Sequence, residues 1–563
     1  MKSIKFLFAS ACVLCAAQFV NAQYPTIPRE VQAVSDSMMV GFRQASDSAW
    51  AVALPIIEKE ALQGRPYIPW ACRPYDLPQA DIPSFPGAEG GGSFSYGGRG
   101  GKVLIVTSLE DNGPGTLRWA CEQGGARIVV FNVSGTIHLK TPISVRAPYI
   151  TIAGQTAPGD GICVASESFW VDTHDVVVRH MRYRRGITTV GRRDDSFGGN
   201  PVGNIMLDHI SATWGCDENI SFYRHMYNDG NGGVDQKLAT VNVTIQNSIS
   251  AEGLDVWNHS FGSTLGGENT SFLRNLYACN TGRNPSVGWF GIFNFVNNVV
   301  FNWMHRSMDG GDYRAMYNVI NNYYKHGPVT PKDGPLSTRF LKPESGRSNV
   351  KQRVYGRVYA IGNIMEGYPE VSKDNWAGGI QVEDMKDCGE FTQSMKVNKP
   401  FPMPQTSILS ADKAYEFVLD NCGATYPKRD VADARIVKNV RTGVIQVLAG
   451  VNTDSIPKFK YRRLPVDSYK QGIITDISQV GGWPLLKGTP RSDRDKDGMP
   501  DSWEIKYGLD PDNAADAIAD CNGDGYTNIE KYINGMNPKK KTDWTKARNN
   551  FDTLAKKKGD LAE

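Results

Sequence analysis

A short phrase recurs through residues 176–324 of this chain, and it limits the fold more than any other feature. It reads Val-Val-Val-Arg-His at 176–180, Asn-Ile-Met-Leu-Asp-His at 204–209, Asn-Val-Thr-Ile-Gln-Asn at 242–247, Ser-Phe-Leu-Arg-Asn at 271–275, Phe-Asn-Phe-Val-Asn-Asn at 293–298 and Tyr-Asn-Val-Ile-Asn-Asn at 317–322. Each copy is a β-branched or aromatic stretch with partial alternation, closed by a polar residue. Asn247, Asn275, Asn298 and Asn322 stand 28, 23 and 24 residues apart. A period in the twenties, built of strands with no helical pattern between them, predicts an all-β solenoid whose coils bury their inward faces against one another. An antiparallel sandwich also shows short strands at turn-punctuated spacing. The same closing residue type on successive units favours the parallel β-helix, in which stacked asparagines pass hydrogen bonds from coil to coil.

Length alone, at 563 residues, would suggest roughly three or four domains, but a solenoid grows along one axis and escapes that count. The formal net charge of +3 gives no electrostatic footprint for nucleic acid. Lys2 and Lys5 precede an apolar run over 6–20, and Val20-Asn21-Ala22 offers small residues before a cleavage point, so residues 1–22 read as a secretory signal peptide. Ser10 and Gln18 interrupt that run, which is also short for a transmembrane segment. The expected location is secreted or periplasmic, and Cys12 lacks the context of a surface lipoprotein. Eight of the ten cysteines lie outside the leader with no Cys-x-x-Cys among them, which argues against zinc. Most read as buried apolar residues, with room for one disulfide.

Residues 23–80 form an N-terminal helical cap or flank. Val31, Val34, Met38, Met39 and Phe42, followed by the apolar stretch 49–54, predict one or two helices broken near Pro55. An end coil needs such cover because it exposes unpaired strand edges. The glycine runs at 87–92 and 97–101 match no phosphate-binding motif and read as tight turns of the first coil. Thr116 is placed to cap a short helix. The β-helix is expected over 81–365 and a mixed extension packing on it over 366–488, with helices near 410–419 and 435–441. Calcium loops are expected over 489–538. The basic tail 539–563, with lysines at 539–541 and 556–558, reads as solvated or disordered.

The calcium reading rests on spacing. Asp493, Asp495, Asp497, Asp501 and Glu504 stand at positions 1, 3, 5, 9 and 12 of an EF-hand loop, with the turn glycine Gly498 at position 6. Asp520, Asn522, Asp524 and Asn528 repeat the pattern, but Lys531 takes position 12 and Glu530 comes one place early, predicting a weaker or irregular site. Paired loops of this kind resemble dockerin or thrombospondin type 3 elements. Their expected role here is structural, and no cohesin partner is inferred.

Several further stretches, in order, carry a family resemblance: Phe-Pro-Gly-Ala-Glu-Gly at 85–90, the glycines at 97–101, Gly-Pro-Gly-Thr-Leu-Arg at 113–118, Phe-Asn-Val-Ser-Gly-Thr-Ile at 131–137, Ala-Gly-Gln-Thr-Ala-Pro-Gly-Asp-Gly at 153–161, Leu207-Asp208-His209, Arg283-Asn284-Pro285 and Gly-Gly-Trp-Pro at 481–484. Over roughly residues 80–535 the chain is similar to bacterial pectate lyases of polysaccharide lyase family 1. The resemblance implies a right-handed parallel β-helix with flanking helical segments, and a secreted enzyme cleaving an acidic plant polysaccharide, pectate or pectin, by β-elimination. It implies Arg283 as the catalytic base, and Asp195, with Asp194, as ligands of a cleft Ca2+; Asp208, in the Asp-His pair, reads equally as a further ligand or as an internal hydrogen-bonding residue. Asp217, Glu218, His259, Arg184 and Arg185 are the expected substrate contacts. Two departures stand out: Ile187 replaces an aspartate that helps hold calcium in the family, and Ser286 replaces a second arginine. They leave open weak calcium binding, a calcium-independent arrangement like that of pectin lyases, or a degenerate β-helix that binds uronan without cutting it. A glycoside hydrolase on the same fold is the other enzyme class, needing convergent carboxylates and water.

Overall fold

The computed structural model describes residues 27–188, 191–345, 350, 353–382, 394–451, 464–465 and 467–554. The leader at 1–22 and the lysines at 556–558 lie outside the described residues. The repeated phrase forms the first strand of each coil of a parallel β-helix. His174–Arg179, Gly203–Asp208, Val241–Gln246, Glu268–Leu273, Gly291–Val296 and Ala315–Ile320 lie side by side in a ten-stranded sheet that begins at Lys102–Val106 and ends at Arg357–Ile361. A nine-stranded second sheet and an eight-stranded third sheet complete the coils. Because side chains alternate along a strand, Val178, Leu207, Ile245, Phe272, Phe295 and Val319 stack in register as one inward column.

The paired asparagines do two jobs. After each first-sheet strand the chain bends through a left-handed residue, His180, His209, Asn247, Arg274, Asn297 and Asn321, with φ between 50° and 59°. Asparagine and histidine are among the residues that tolerate this region best. The next residue forms the ladder: the backbone N–H groups of Asn275, Asn298 and Asn322 donate at 2.9, 2.8 and 3.0 Å to the side-chain oxygens of Asn298, Asn322 and Asn363. Asn247 is therefore one residue off the expected column. Ser248 holds the ladder position, its N–H donating to Asn275 Oδ1 at 2.9 Å. A second ladder, Asn269 to Asn242 to Asn204, runs along the opening residues of the first sheet, with amide contacts of 2.8 and 2.9 Å. Asn298→Ala removes the acceptor used by both the backbone and the side chain of the buried Asn275. It is expected to cost about 3 kcal/mol in denaturant unfolding.

The N-terminal segment is one helix, Arg29–Ala61, continuous through Pro55 rather than broken there. Tertiary contacts on both sides of the proline hold it: Phe42 and Ser46 are buried before it, and Ile57 after. The helix flanks the solenoid lengthwise, since a Cβ on Gly191 would stand 2.5 Å from Val31 O and one on Gly124 would stand 2.5 Å from Ala53 O. The open first coil is covered instead by Leu117–Glu122, capped by Thr116, whose hydroxyl accepts from Trp119 N–H at 3.2 Å. Helices Ala411–Asn421 and Val431–Thr442 set Val418, Ile436 and Val440 against Ile249, Leu276 and Val299 of the second sheet. Residues 539–554 are not a free tail: Trp544 is buried against Tyr526, and Asn550 exchanges hydrogen bonds with Gly87 and Ala88. Among the described residues the cysteines are unpaired thiols, and no helix is long and apolar enough to cross a membrane.

Candidate functional site

Three chain segments that lead into the third sheet meet on one wall of the solenoid. The segment before strand Phe197–Gly199 carries Asp195, the one before Ile220–Phe222 carries Asp217 and Glu218, and the one before Ser286–Val287 carries Arg283. Backbone pairing stacks them: Asp217 N–H donates to Asp194 O at 3.1 Å, Gly262 N–H to Gly282 O at 3.0 Å and Ser263 N–H to Arg283 O at 2.7 Å. Gly262 is needed for that approach, because an added Cβ would stand 2.6 Å from Arg283 O. Arg283 itself has φ of 55°, a left-handed conformation rare for a side-chain-bearing residue.

The Arg283 guanidinium crosses the intervening coil to pair with Glu218 Oε1, lies 3.6 Å from Asp217 Oδ1 and stacks 4.3 Å above the Phe261 ring. Thr264 Oγ1 donates to Glu218 Oε1 at 2.6 Å. Ligand oxygens of Asp195, Asp217 and Glu218 lie within 4.8 Å of one another. Three acids so close cannot all be ionised unless a cation joins them. Burial, then the charges of Glu218 and Asp217, push the Asp195 carboxyl well above the usual range; burial and Glu218 do the same to Asp217. Burial also opposes ionisation of Glu218, but the Arg283 charge and hydrogen bonds from Asp195 and Thr264 outweigh it and hold that carboxyl down at about 2. His259 stands behind Asp217, its Nε2 3.2 Å from Oδ1, while Nδ1–H donates to Trp257 O at 2.7 Å. Burial lowers this imidazole to about 4.

Asp195, Asp217, Glu218, Thr264 and Arg283 line a groove of about 870 Å³. Phe42, Arg43 and Trp50 of the N-terminal helix line it too, with Arg146 and Trp170. Their role went unseen in the sequence because nothing in a helix's own periodicity tells which surface it will lie beside. The Arg146 guanidinium sits 4.9 Å over Trp50 and pairs with Asp47 at 2.7 Å. Arg306 is a further addition. It approaches the Phe261 ring, which Arg283 also meets, at 5.7 Å and pairs with the buried Asp309 at 2.6 Å, while Ser286 is buried in its strand.

Other expected residues lie elsewhere. Arg184 is an interior ion pair rather than a sugar contact: fully buried, it bonds Asp430, Asp433 and Thr213. Arg185, also fully buried, pairs with Asp194 at 2.7 Å. Asp194 borders the groove but takes its second cation from Arg192 at 3.0 Å and stands outside the carboxylate trio. Asp208 lies at the end of a first-sheet strand, bonded to Arg179, Gln246 and Asn247, where it borders a separate cavity of about 550 Å³. It is thus not brought to Asp195. Ile187 presents its carbonyl to Arg185 Nη1 at 3.1 Å and to Cys216 Sγ at 3.2 Å.

The two acidic loops differ from expectation as well. In the first, Asp493, Asp495 and Asp497 cluster, and Asp497 clusters again with Glu504 and Asp516. Asp501 instead turns outward to Ser492 Oγ at 2.7 Å and Arg494 N at 2.9 Å. Burial and the charges of the neighbouring acids push Asp497 up to about 7 and Glu504 up to about 8. In the second loop the Lys531 ammonium, fully buried, lies 2.6 Å from Asp520 Oδ1 and 3.4 Å from Asp524 Oδ1. It fills the place an ion was expected to take. Asn522 and Asn528 are engaged in local bonds, Asn528 holding Asp516 O at 2.9 Å.

The fold defines a class, the parallel β-helix proteins. No protein-family model matches the chain. Curated proteins named "Probable pectate lyase C" from Aspergillus flavus and Aspergillus oryzae are 35% and 34% identical to it over 471 residues, covering 81% of this chain and 94% of each relative. A solved thermostable pectate lyase aligns with 60% of this chain and 97% of its own at 13% identity and a TM-score of 0.40. The chain belongs to the pectate lyase family.

Proposed function

We propose that this groove cleaves (1,4)-α-D-galacturonan, the acidic backbone of pectate and pectin, by β-elimination, and that the enzyme acts outside the cell. The reading is carried by the opening that Arg283 shares with Asp195, Asp217 and Glu218 from earlier coils. In the reaction the C5 proton leaves to a base, its electron pair forms the C4–C5 double bond, and the C4 oxygen departs with the other half of the polymer. That proton is weakly acidic, so the charge developing beside the uronate carboxylate has to be stabilised.

The trio suits a hard cation, because bonds of about 2.3–2.6 Å from one ion span oxygens this close. Calcium bound there would neutralise the uronate carboxylate and so acidify the C5 hydrogen. The remaining work falls to the chain. Arg283 is the group to receive the proton, the role its Arg-Asn-Pro setting implies. Phe261 under its plane and Glu218 at its tip fix where the guanidinium points. An arginine keeps its own proton in ordinary surroundings, so the role depends on positive charge that a cation held by the carboxylate trio would bring to the groove. His259 steadies Asp217. Arg43, Arg146 and Arg193 supply cations along the groove for further uronates, and Trp50 and Trp170 supply ring faces for sugars.

Purified protein incubated with polygalacturonate, with methylated pectin, and with each in the presence of EDTA tests this. Unsaturated ends absorbing in the ultraviolet, formed from polygalacturonate and suppressed by EDTA, are expected. Undiminished rate in EDTA with preference for methylated pectin would instead assign a metal-free pectin lyase. Reducing ends without the double bond would mean hydrolysis, and an intact polymer a binding protein.

A further inference from the structure

Toward the C-terminal end of the chain, five carboxylates form two triads that share Asp497, with no salt-bridge partner among the described residues. Ligand oxygens of Asp493, Asp495 and Asp497 lie within 4.8 Å of one another, as do those of Asp497, Glu504 and Asp516. Acidic turns are common on protein surfaces, but the centre of this one is buried, with Asp493, Asp495 and Asp516 half-buried around it. Glu504 is 0% exposed and Asp497 3% exposed. Both Glu504 oxygens, both Asp495 oxygens, Asp497 Oδ2 and Asp516 Oδ1 are buried without a hydrogen-bond partner. A buried carboxylate left unpaired is strongly unfavourable, so six such atoms in two triads joined at Asp497 call for a cation.

The neighbouring loop acts as an internal control. It repeats the spacing with asparagines Asn522 and Asn528 at the third and ninth positions, and its twelfth position is Lys531, whose ammonium reaches Asp520 Oδ1 at 2.6 Å, Asp524 Oδ1 at 3.4 Å and Tyr526 O at 2.5 Å. One loop carries its cation covalently. Its twin has Glu504 at that position and can acquire positive charge only from outside the chain. The ligand set also departs from the linear motif, since Asp501 is spent on Ser492 and Arg494 while Asp516, twelve residues beyond Glu504, brings a carboxylate oxygen within 4.8 Å of those of Asp497 and Glu504.

We propose that Asp493, Asp495, Asp497, Glu504 and Asp516 bind one calcium-class divalent cation, which pins the C-terminal module to the outer face of the first coils. Oxygen-only ligands of high charge favour such an ion. The pinning follows from the packing. Ile128 and Val130 alternate with the inward Val129 and Phe131, and point out against Met499, Ala517, Ile529 and Ile533. Gly498 fits so closely that a Cβ would stand 2.8 Å from Val103. Arg491 and Asn132 exchange hydrogen bonds of 2.7 and 2.9 Å at the loop's entrance. Holding the loop therefore holds the apolar contact.

The test uses the full chain, calcium and EDTA, with thermal unfolding and hydrogen exchange as readouts independent of activity. Calcium is expected to raise the unfolding temperature by about 5 °C or more and to protect amides over 493–533. Asp516→Asn and Glu504→Gln should lose both effects, and Asp501→Asn should keep them. Loss in Asp501→Asn with retention in Asp516→Asn would overturn the ligand set. If the variants do not fold, exchange in the unaltered chain decides: calcium protection absent from 493–533, or confined to the groove segments around 194–218, would overturn the proposal while leaving the groove reading intact.

Discussion

Arg283→Lys is expected to lower kcat on polygalacturonate by about 10³-fold, with KM and the unfolding midpoint little changed. Lysine keeps the positive charge and can still pair with Glu218. What it lacks is the flat guanidinium that lies 4.3 Å over Phe261 while reaching across a coil to the carboxylates. A flexible ammonium does not reproduce that fixed planar geometry. The substitution thus separates charge from geometry. If the side chain only attracted the polymer, lysine would serve almost as well and KM would carry any change. If it receives the proton, kcat must collapse. The side chain is 19% exposed, so the substitution opens no core cavity. An enzyme that retained most of its kcat with Arg283→Lys would remove Arg283 from the chemistry.

The coil period, the parallel strands and the column of asparagines were legible because each coil repeats the same physical task in the same residue types. The ladder was misplaced at Asn247 because two consecutive positions of the bend both favour asparagine, one for its tolerance of positive φ and one for its side-chain amide. Arg283, Asp195, Asp217 and Glu218 could be picked out from motif positions, and they do meet. Arg184 and Arg185 could not be told from groove residues by composition. The strand Arg182–Arg184 and the residue after it send these guanidinia to acids contributed by 430–433 and 194, and no local pattern announces those partners. The same holds for Asp516, which joins Asp497 and Glu504 from beyond the twelve-residue loop, whereas Lys531 at the twelfth place of its own loop was visible in the spacing. Spacing reports which residues could share a face. It does not report which charge has already found its counterpart.

Asp217→Asn should give effects of opposite sign with and without calcium. In EDTA the substitution removes one of three acids crowded within 4.8 Å and keeps the side chain's shape, so the unfolding midpoint should rise, by about 1 kcal/mol in stability. In calcium the same change removes one of the charges on which affinity for the ion depends. The calcium concentration giving half-maximal activity should then increase on the order of ten- to a hundred-fold. His259 stays supported, because its bond to Trp257 does not involve Asp217. A merely structural Asp217 would lose stability in both conditions and leave the calcium requirement where it was. A groove that worked through arginines alone would show the gain in EDTA without any change in calcium dependence. Only a carboxylate that is a burden to the empty groove and an asset to the loaded one produces the reversal, and differential scanning calorimetry paired with a calcium titration of the elimination rate reads both halves.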